Sequence, residues 1–164
     1  MNRLIKLFER LAVLAAWGGG VVVLVQMVWM SYGVFMRYAM RAPDRMVTEA
    51  TALLLFPVAF AGLAYALRED AYPKVTFLTD LAPRGIRHLL DIVNHLVMFG
   101  VGLFFSYAGV SATLRALKSG AASEILGWPR YAFWAPSALA IVIFTVYAGL
   151  LLARLVLTRP PQEG

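Results

Sequence analysis

The sequence predicts an all-α integral membrane protein with four transmembrane helices and a short amphipathic helix at the membrane surface between spans two and three. Three observations predict it. Apolar residues make up 61% of the 164-residue chain and charged residues 15%, where soluble domains carry about a quarter. Four apolar segments, Leu11 to Met36, Val47 to Leu67, Leu89 to Leu114 and Ala132 to Leu157, each contain the roughly 20 residues that a helix needs to cross the hydrocarbon core. The charges fall almost wholly between these segments, so residues 1–164 read as one membrane domain.

The first span follows a basic start with Arg3, Lys6 and Arg10. That start resembles the charged region of a secretory signal, but the apolar stretch is too long for a signal core and has no clear small-x-small cleavage site, so it reads as an uncleaved span. Gln26 lies deep inside it, where an amide can bond across to a neighbouring helix. Trp29, Tyr32 and Tyr38 close the span and form an aromatic belt with Trp128, Tyr131 and Trp134 at the opening of span four. In span two, Pro57 frees the carbonyl of Leu53 and marks a bend.

Glu49 stands in the first turn of span two, where a helix N-terminus stabilises a carboxylate. Arg45, one turn earlier, is expected to pair with it as an interfacial ion pair. The alternative role, a proton-carrying acid as in small exporters, calls for a residue deeper in the span. Between spans two and three, Pro73 and Pro83 bracket a stretch in which Val75, Leu78, Leu81 and Ala82 recur at helical spacing. This is the expected interfacial helix, lying on the membrane or on a partner subunit.

Span three opens with His88, Asp91 and His95 on one stripe, beside Asn94. The stripe reads as a hydrogen-bonded interface, and no metal site or cofactor is expected from it. An alternative is a haem-binding membrane anchor of a respiratory complex, with one of these histidines as a ligand and the rest of the site on other chains. Gly102 and Ser106 form a small-x-x-x-small pair that Gly109 and Thr113 repeat, so this face is expected to meet another helix. Gln26, Gly102 and Ser106 are therefore candidate subunit contacts.

Charge sets the topology. The chain start, the second connection and the chain end hold nine of the Lys and Arg residues, against six in the first and third connections, which favours both termini in the cytoplasm. The net charge of +6 is taken up by topology and lipid headgroups, and nucleic acid is not implied. Among the six basic residues of the outer loops, Arg41, Arg115 and Lys118 are candidates for steering an acidic partner, with lipid headgroups as the alternative contact. The chain has no cysteine, which excludes disulfides, thiolate metal sites and quinone-coupled disulfide oxidases. No Walker-type phosphate loop and no catalytic constellation is present.

The order of these features resembles the small membrane subunit of tripartite ATP-independent periplasmic (TRAP) transporters. The resemblance runs from the basic start through Phe35 to Tyr38 (FMRY), the acid Glu49, and the FAGLAYALRED segment from Phe60 to Asp70. It continues through LAPRGIRHLLD and ends in SEILGWPRYAFWAPSALA, from Ser123 to Ala140. After Arg68, Glu69 and Asp70 the family commonly has a histidine, where this chain reads Ala71, Tyr72 and Pro73. The resemblance implies a non-enzymatic subunit in a bacterial inner membrane, without cofactor. It implies two protein partners, a large membrane subunit that carries substrate and sodium as an elevator and a periplasmic substrate-binding protein. The small subunit then braces the scaffold of a sodium-driven importer of organic acids such as dicarboxylates or sugar acids.

Overall fold

The computed structural model describes residues 2–42, 44–72 and 83–157. All four expected spans are helices. Helix α1 is Asn2–Tyr38, span two is split into α2 (Arg45–Ala61) and α3 (Leu63–Arg68), span three is α4 (Arg84–Ser119), and span four is α5 (Tyr131–Leu157). The interfacial helix expected between Pro73 and Pro83 lies outside the described residues.

Helices α1 and α4 overrun the apolar stretches that announced them. They hold 37 and 36 residues, about 55 Å each at the α-helical rise, so several turns extend past a hydrocarbon core of about 30 Å. Charged residues populate those turns, Arg3, Lys6, Glu9 and Arg10 on α1 and Arg115 and Lys118 on α4. A helix does not stop where hydropathy does, because its backbone bonds continue until a cap ends them. Gly120, with φ 62°, supplies that cap for α4.

Span two is interrupted at Gly62, five residues beyond Pro57. The proline removes the N–H that would bond to Leu53. The Gly62 N–H turns back to the Phe60 carbonyl, and α3 resumes at Leu63.

The helices are arranged around α5. It packs against α1, α2, α3 and α4, whereas α4 packs closely against α5 alone among the described elements and reaches α2 only through the Phe60 and Phe105 rings. The central position suits the composition of α5, the most apolar of the spans, with charge only at Arg154 near its end. Within the most apolar 18-residue stretch of each span, the chain buries 39% of α5, but only 11% of α1 and 6% of α4. The two flanking helices thus leave much of their apolar surface to lipid or to a partner. The tightest core lies where α1, α3 and α5 meet, around Ile5, Ala12, Ala64, Leu67, Phe144 and Tyr147.

The buried side of α1 is a narrow seam with a seven-residue repeat: Ile5, Ala12, Gly19, Gln26 and Gly33. A strict seven-residue spacing is the signature of a helix that meets its neighbours along one line instead of a broad face. The approach is close. A Cβ at Gly19 would stand 2.7 Å from the Ala61 Cβ, and one at Gly33 would stand 2.6 Å from the Val47 Cγ1.

Candidate functional site

Two arrangements concentrate the polar chemistry of the described residues, a clasp on the connecting loop between α4 and α5 and a set of bonds inside the spans. The clasp begins at α2. Asp44 caps that helix, its Oδ1 accepting the Met46 N–H at 2.8 Å. One turn further in, the Glu49 carboxylate faces the loop of residues 120–130. Its Oε1 accepts the N–H groups of Glu124 at 2.7 Å and Ile125 at 3.2 Å, and its Oε2 accepts those of Ile125 at 3.0 Å and Leu126 at 2.7 Å. Three successive main-chain donors converging on one anion form a nest, and their bonds to a carboxylate are charge-assisted.

The loop also has bonds of its own. The Ser123 N–H donates to the Trp128 carbonyl at 2.8 Å, the Trp128 N–H donates to the Ser123 hydroxyl at 3.0 Å, and the Arg130 N–H donates to the Ala121 carbonyl at 2.9 Å. Gly127 turns the chain with φ 66°, a conformation that other residues adopt at a cost. Trp128 stacks on Phe133 with ring centroids 6.0 Å apart, which seats the loop on the first turn of α5.

The expected pairing of Arg45 with Glu49 is not formed. Among the described residues the ion pairs are Arg68 with Glu69 and Arg130 with Glu124, and Arg45 is exposed. The main-chain donors occupy the carboxylate oxygens that Arg45 would have used.

The three candidate subunit contacts are engaged by the chain's own helices. Gln26 donates from Nε2 to the Thr51 carbonyl at 3.1 Å, joining α1 to α2. Gly102 and Ser106 face α5: a Cβ at Gly102 would stand 2.6 Å from the Thr145 Oγ1, and the Ser106 and Thr145 hydroxyls are 2.9 Å apart. Thr145 also donates to the Ile141 carbonyl at 2.7 Å, so Ser106 is the donor in the pair. Ser31, Thr51, Thr113 and Ser137 likewise return their hydroxyls to a carbonyl four residues earlier, which satisfies them inside the spans.

Arg41, Arg115 and Lys118 are all exposed at the end of the molecule that carries the loop. Arg41 sits in the short α1–α2 connection with φ 52°. Arg115 borders an apolar groove between α2 and α4. In the stripe on α4, His95 Nδ1 lies 2.9 Å from the Asp91 carbonyl, a bond within its own helix. Among the described residues no group of three or more His, Cys, Asp or Glu side chains is placed to hold a metal ion.

Sequence reasoning missed the loop as a ligand for Glu49, since backbone N–H groups have no residue signature. It also missed Thr145 as the partner of Ser106, and Ile5, Ala12, Gly19 and Gly33 as neighbours of Gln26 on one seam. The repeat of seven was the signal that would have found the seam.

The comparisons with known proteins meet this geometry in the spans and the clasped loop. A family model described as Tripartite ATP-independent periplasmic transporters, DctQ component, matches residues 26–158. The chain belongs to this family. The match contains Gln26, Glu49, the loop of residues 120–130 and both faces of the α4–α5 contact. One relative is the ectoine TRAP transporter small permease protein TeaB of Halomonas elongata, 30% identical over 90 residues. That stretch covers 54% of this chain and 47% of the relative, so the chain spans about half the length of the relative it matches. The chain thus joins membership of the DctQ component family to four spans long and apolar enough to cross a membrane.

Proposed function

We propose that the chain is the scaffold-bracing subunit of a sodium-gradient-driven, binding-protein-dependent importer of an organic acid, such as a dicarboxylate or a sugar acid. It works in a bacterial inner membrane with both termini in the cytoplasm. Its partners are a large membrane subunit, which moves substrate, and a periplasmic binding protein, which the loop end of this chain helps to receive through Arg41 and Lys118.

The observation that carries this reading is the layout around α5. One helix holds the others, while α1 and α4 turn long apolar faces outward, a shape that offers broad contact to membrane and partner. A bracing element needs this, because an elevator works only against a scaffold that resists tilting. The clasped loop supports the receiving role, since a loop tied at three consecutive amides presents its side chains in one arrangement. The relative's name points to ectoine, which belongs in the same substrate panel.

Reconstitution tests the reading. The chain alone in liposomes, with binding protein, substrate and a sodium gradient, is expected to give no uptake, and addition of the large subunit is expected to restore it. Accumulation by this chain without a second membrane protein overturns the assignment. Orientation is tested with Ala42→Cys and Ser119→Cys in the cysteine-free chain. Both are expected to react with an impermeant thiol reagent from the periplasmic side.

A further inference from the structure

Beside the clasp, α2 and α4 diverge across the surface of α5 and leave an apolar groove of about 340 Å³. Phe56 and Phe60 line one wall, and Phe105, Ala108, Gly109 and Ala112 line the other. Aromatic contacts narrow it: Phe60 meets Phe105 with centroids 6.3 Å apart, and Phe56 meets Trp134 on α5 at 4.6 Å. The mouth, at the membrane-surface end of α4, is bordered by Arg115, an exposed cation with no ion pair among the described residues.

We propose that this groove is a binding site for one phospholipid, with an acyl chain lying on α5 between α2 and α4 and the phosphate on the Arg115 guanidinium. The inference rests on the chain's position in the membrane and not on its role in transport. Length and charge each select this occupant. From Phe105 to Arg115 the α4 wall rises about 15 Å, which is the depth of one leaflet in a core of about 30 Å. An acyl chain that fills the groove therefore brings its headgroup to the level of Arg115.

The Phe60–Phe105 contact closes the floor of the groove. The walls ask for no polar ligand: the Ser137 hydroxyl, which also lines the groove, is already donated to the Phe133 carbonyl. At the mouth the guanidinium is matched to a phosphate, whose oxygens it binds through paired N–H groups.

The test uses the full chain assembled with its membrane partner and reconstituted with phosphatidylglycerol that carries a photoreactive diazirine near the end of one acyl chain. Crosslinked peptides are expected to concentrate on residues 105–112 and the facing parts of α2 and α5. Ala112→Phe, which fills the groove, and Arg115→Glu are each expected to lower that labelling about tenfold, while labelling of the outward face of α1 near Leu24 and Val28 stays unchanged. Arg115 is exposed, so Arg115→Glu decides alone where Ala112→Phe fails to fold. Excess inorganic phosphate is expected to leave the labelling intact, and a diacylglycerol probe without phosphate is expected to be insensitive to Arg115→Glu.

Equal labelling of the groove and of the α1 face in the wild type, or no response to Arg115→Glu, overturns the proposal. So does a photoreactive residue at Ala108 that crosslinks to the partner subunit instead of to lipid.

Discussion

On one side of α5, helix α1 packs on α2, α3 and α5 along a narrow seam, while on the other side α4 packs closely on α5 and reaches α2 only through the Phe60 and Phe105 rings. Both flanks bring glycine against a neighbour at closer than ordinary contact, at Gly19 and Gly33 in one case and at Gly102 in the other. They differ in how many helices share the task of holding position. A helix with three neighbours keeps its register when one contact is weakened. A helix with one close neighbour takes its register from that interface, and α4 depends in this way on α5, aided by the Phe60–Phe105 ring contact and by the loop that Glu49 ties to α2.

The largest expected effect is therefore on the α4 side. Gly102→Leu drives a side chain into Thr145 and Phe144 and is expected to cost about 3 kcal/mol, seen as a lower melting temperature and as protease access to the loop of residues 120–130. Gly19→Leu meets Ala61 at a similar distance but is expected to cost about 1 to 2 kcal/mol, because α3 and α5 still hold α1. A Gly19 variant more damaging than the Gly102 variant would reverse the comparison.

Removing the loop tie sharpens it. Glu49→Ala leaves three amides without their acceptor, and hydrogen exchange at Glu124, Ile125 and Leu126 is expected to quicken about tenfold. Unchanged exchange there would mean that the loop holds itself. Glu49→Gln keeps an acceptor oxygen but loses the charge and is expected to fall between the two.

Smaller effects separate the polar bonds of the flanks. Gln26→Leu removes the amide bond to Thr51 and is expected to cost about 1 kcal/mol, read from thermal unfolding in detergent. A double-mutant cycle of Ser106→Ala with Thr145→Val is expected to give a coupling of about 0.6 kcal/mol. A coupling at or below experimental error would assign the α4–α5 contact to packing around Gly102 alone.

The four spans were legible because length and apolarity are local properties, and helices occupy all four predicted segments, with span two broken at Gly62. Their ends were less legible, since Arg3 to Arg10 and Arg115 to Ser119 continue helices that hydropathy alone would have stopped. The neighbours were not legible. Gln26, Gly102 and Ser106 were marked as candidate subunit contacts, and they meet helices of their own chain; nothing in their spacing says to which chain the neighbouring helix belongs. Glu49 was marked through its helix N-terminus and assigned to Arg45, one turn away, because the sequence brings that partner near. Its actual partners lie more than seventy residues further on and bind through groups that every residue except proline carries.

That last property of the clasp bears on how such a protein can change. Glu49 grips the peptide backbone at positions 124, 125 and 126, and the side chains there take no part in the grip. Any residue other than proline preserves the attachment, so the loop's seat is inherited separately from its lettering. Mutation is then free to rewrite the outward chemistry of this turn, in charge, bulk or polarity, without moving it. A lineage can thus try new loop surfaces one substitution at a time, each displayed at the same place and at the same angle.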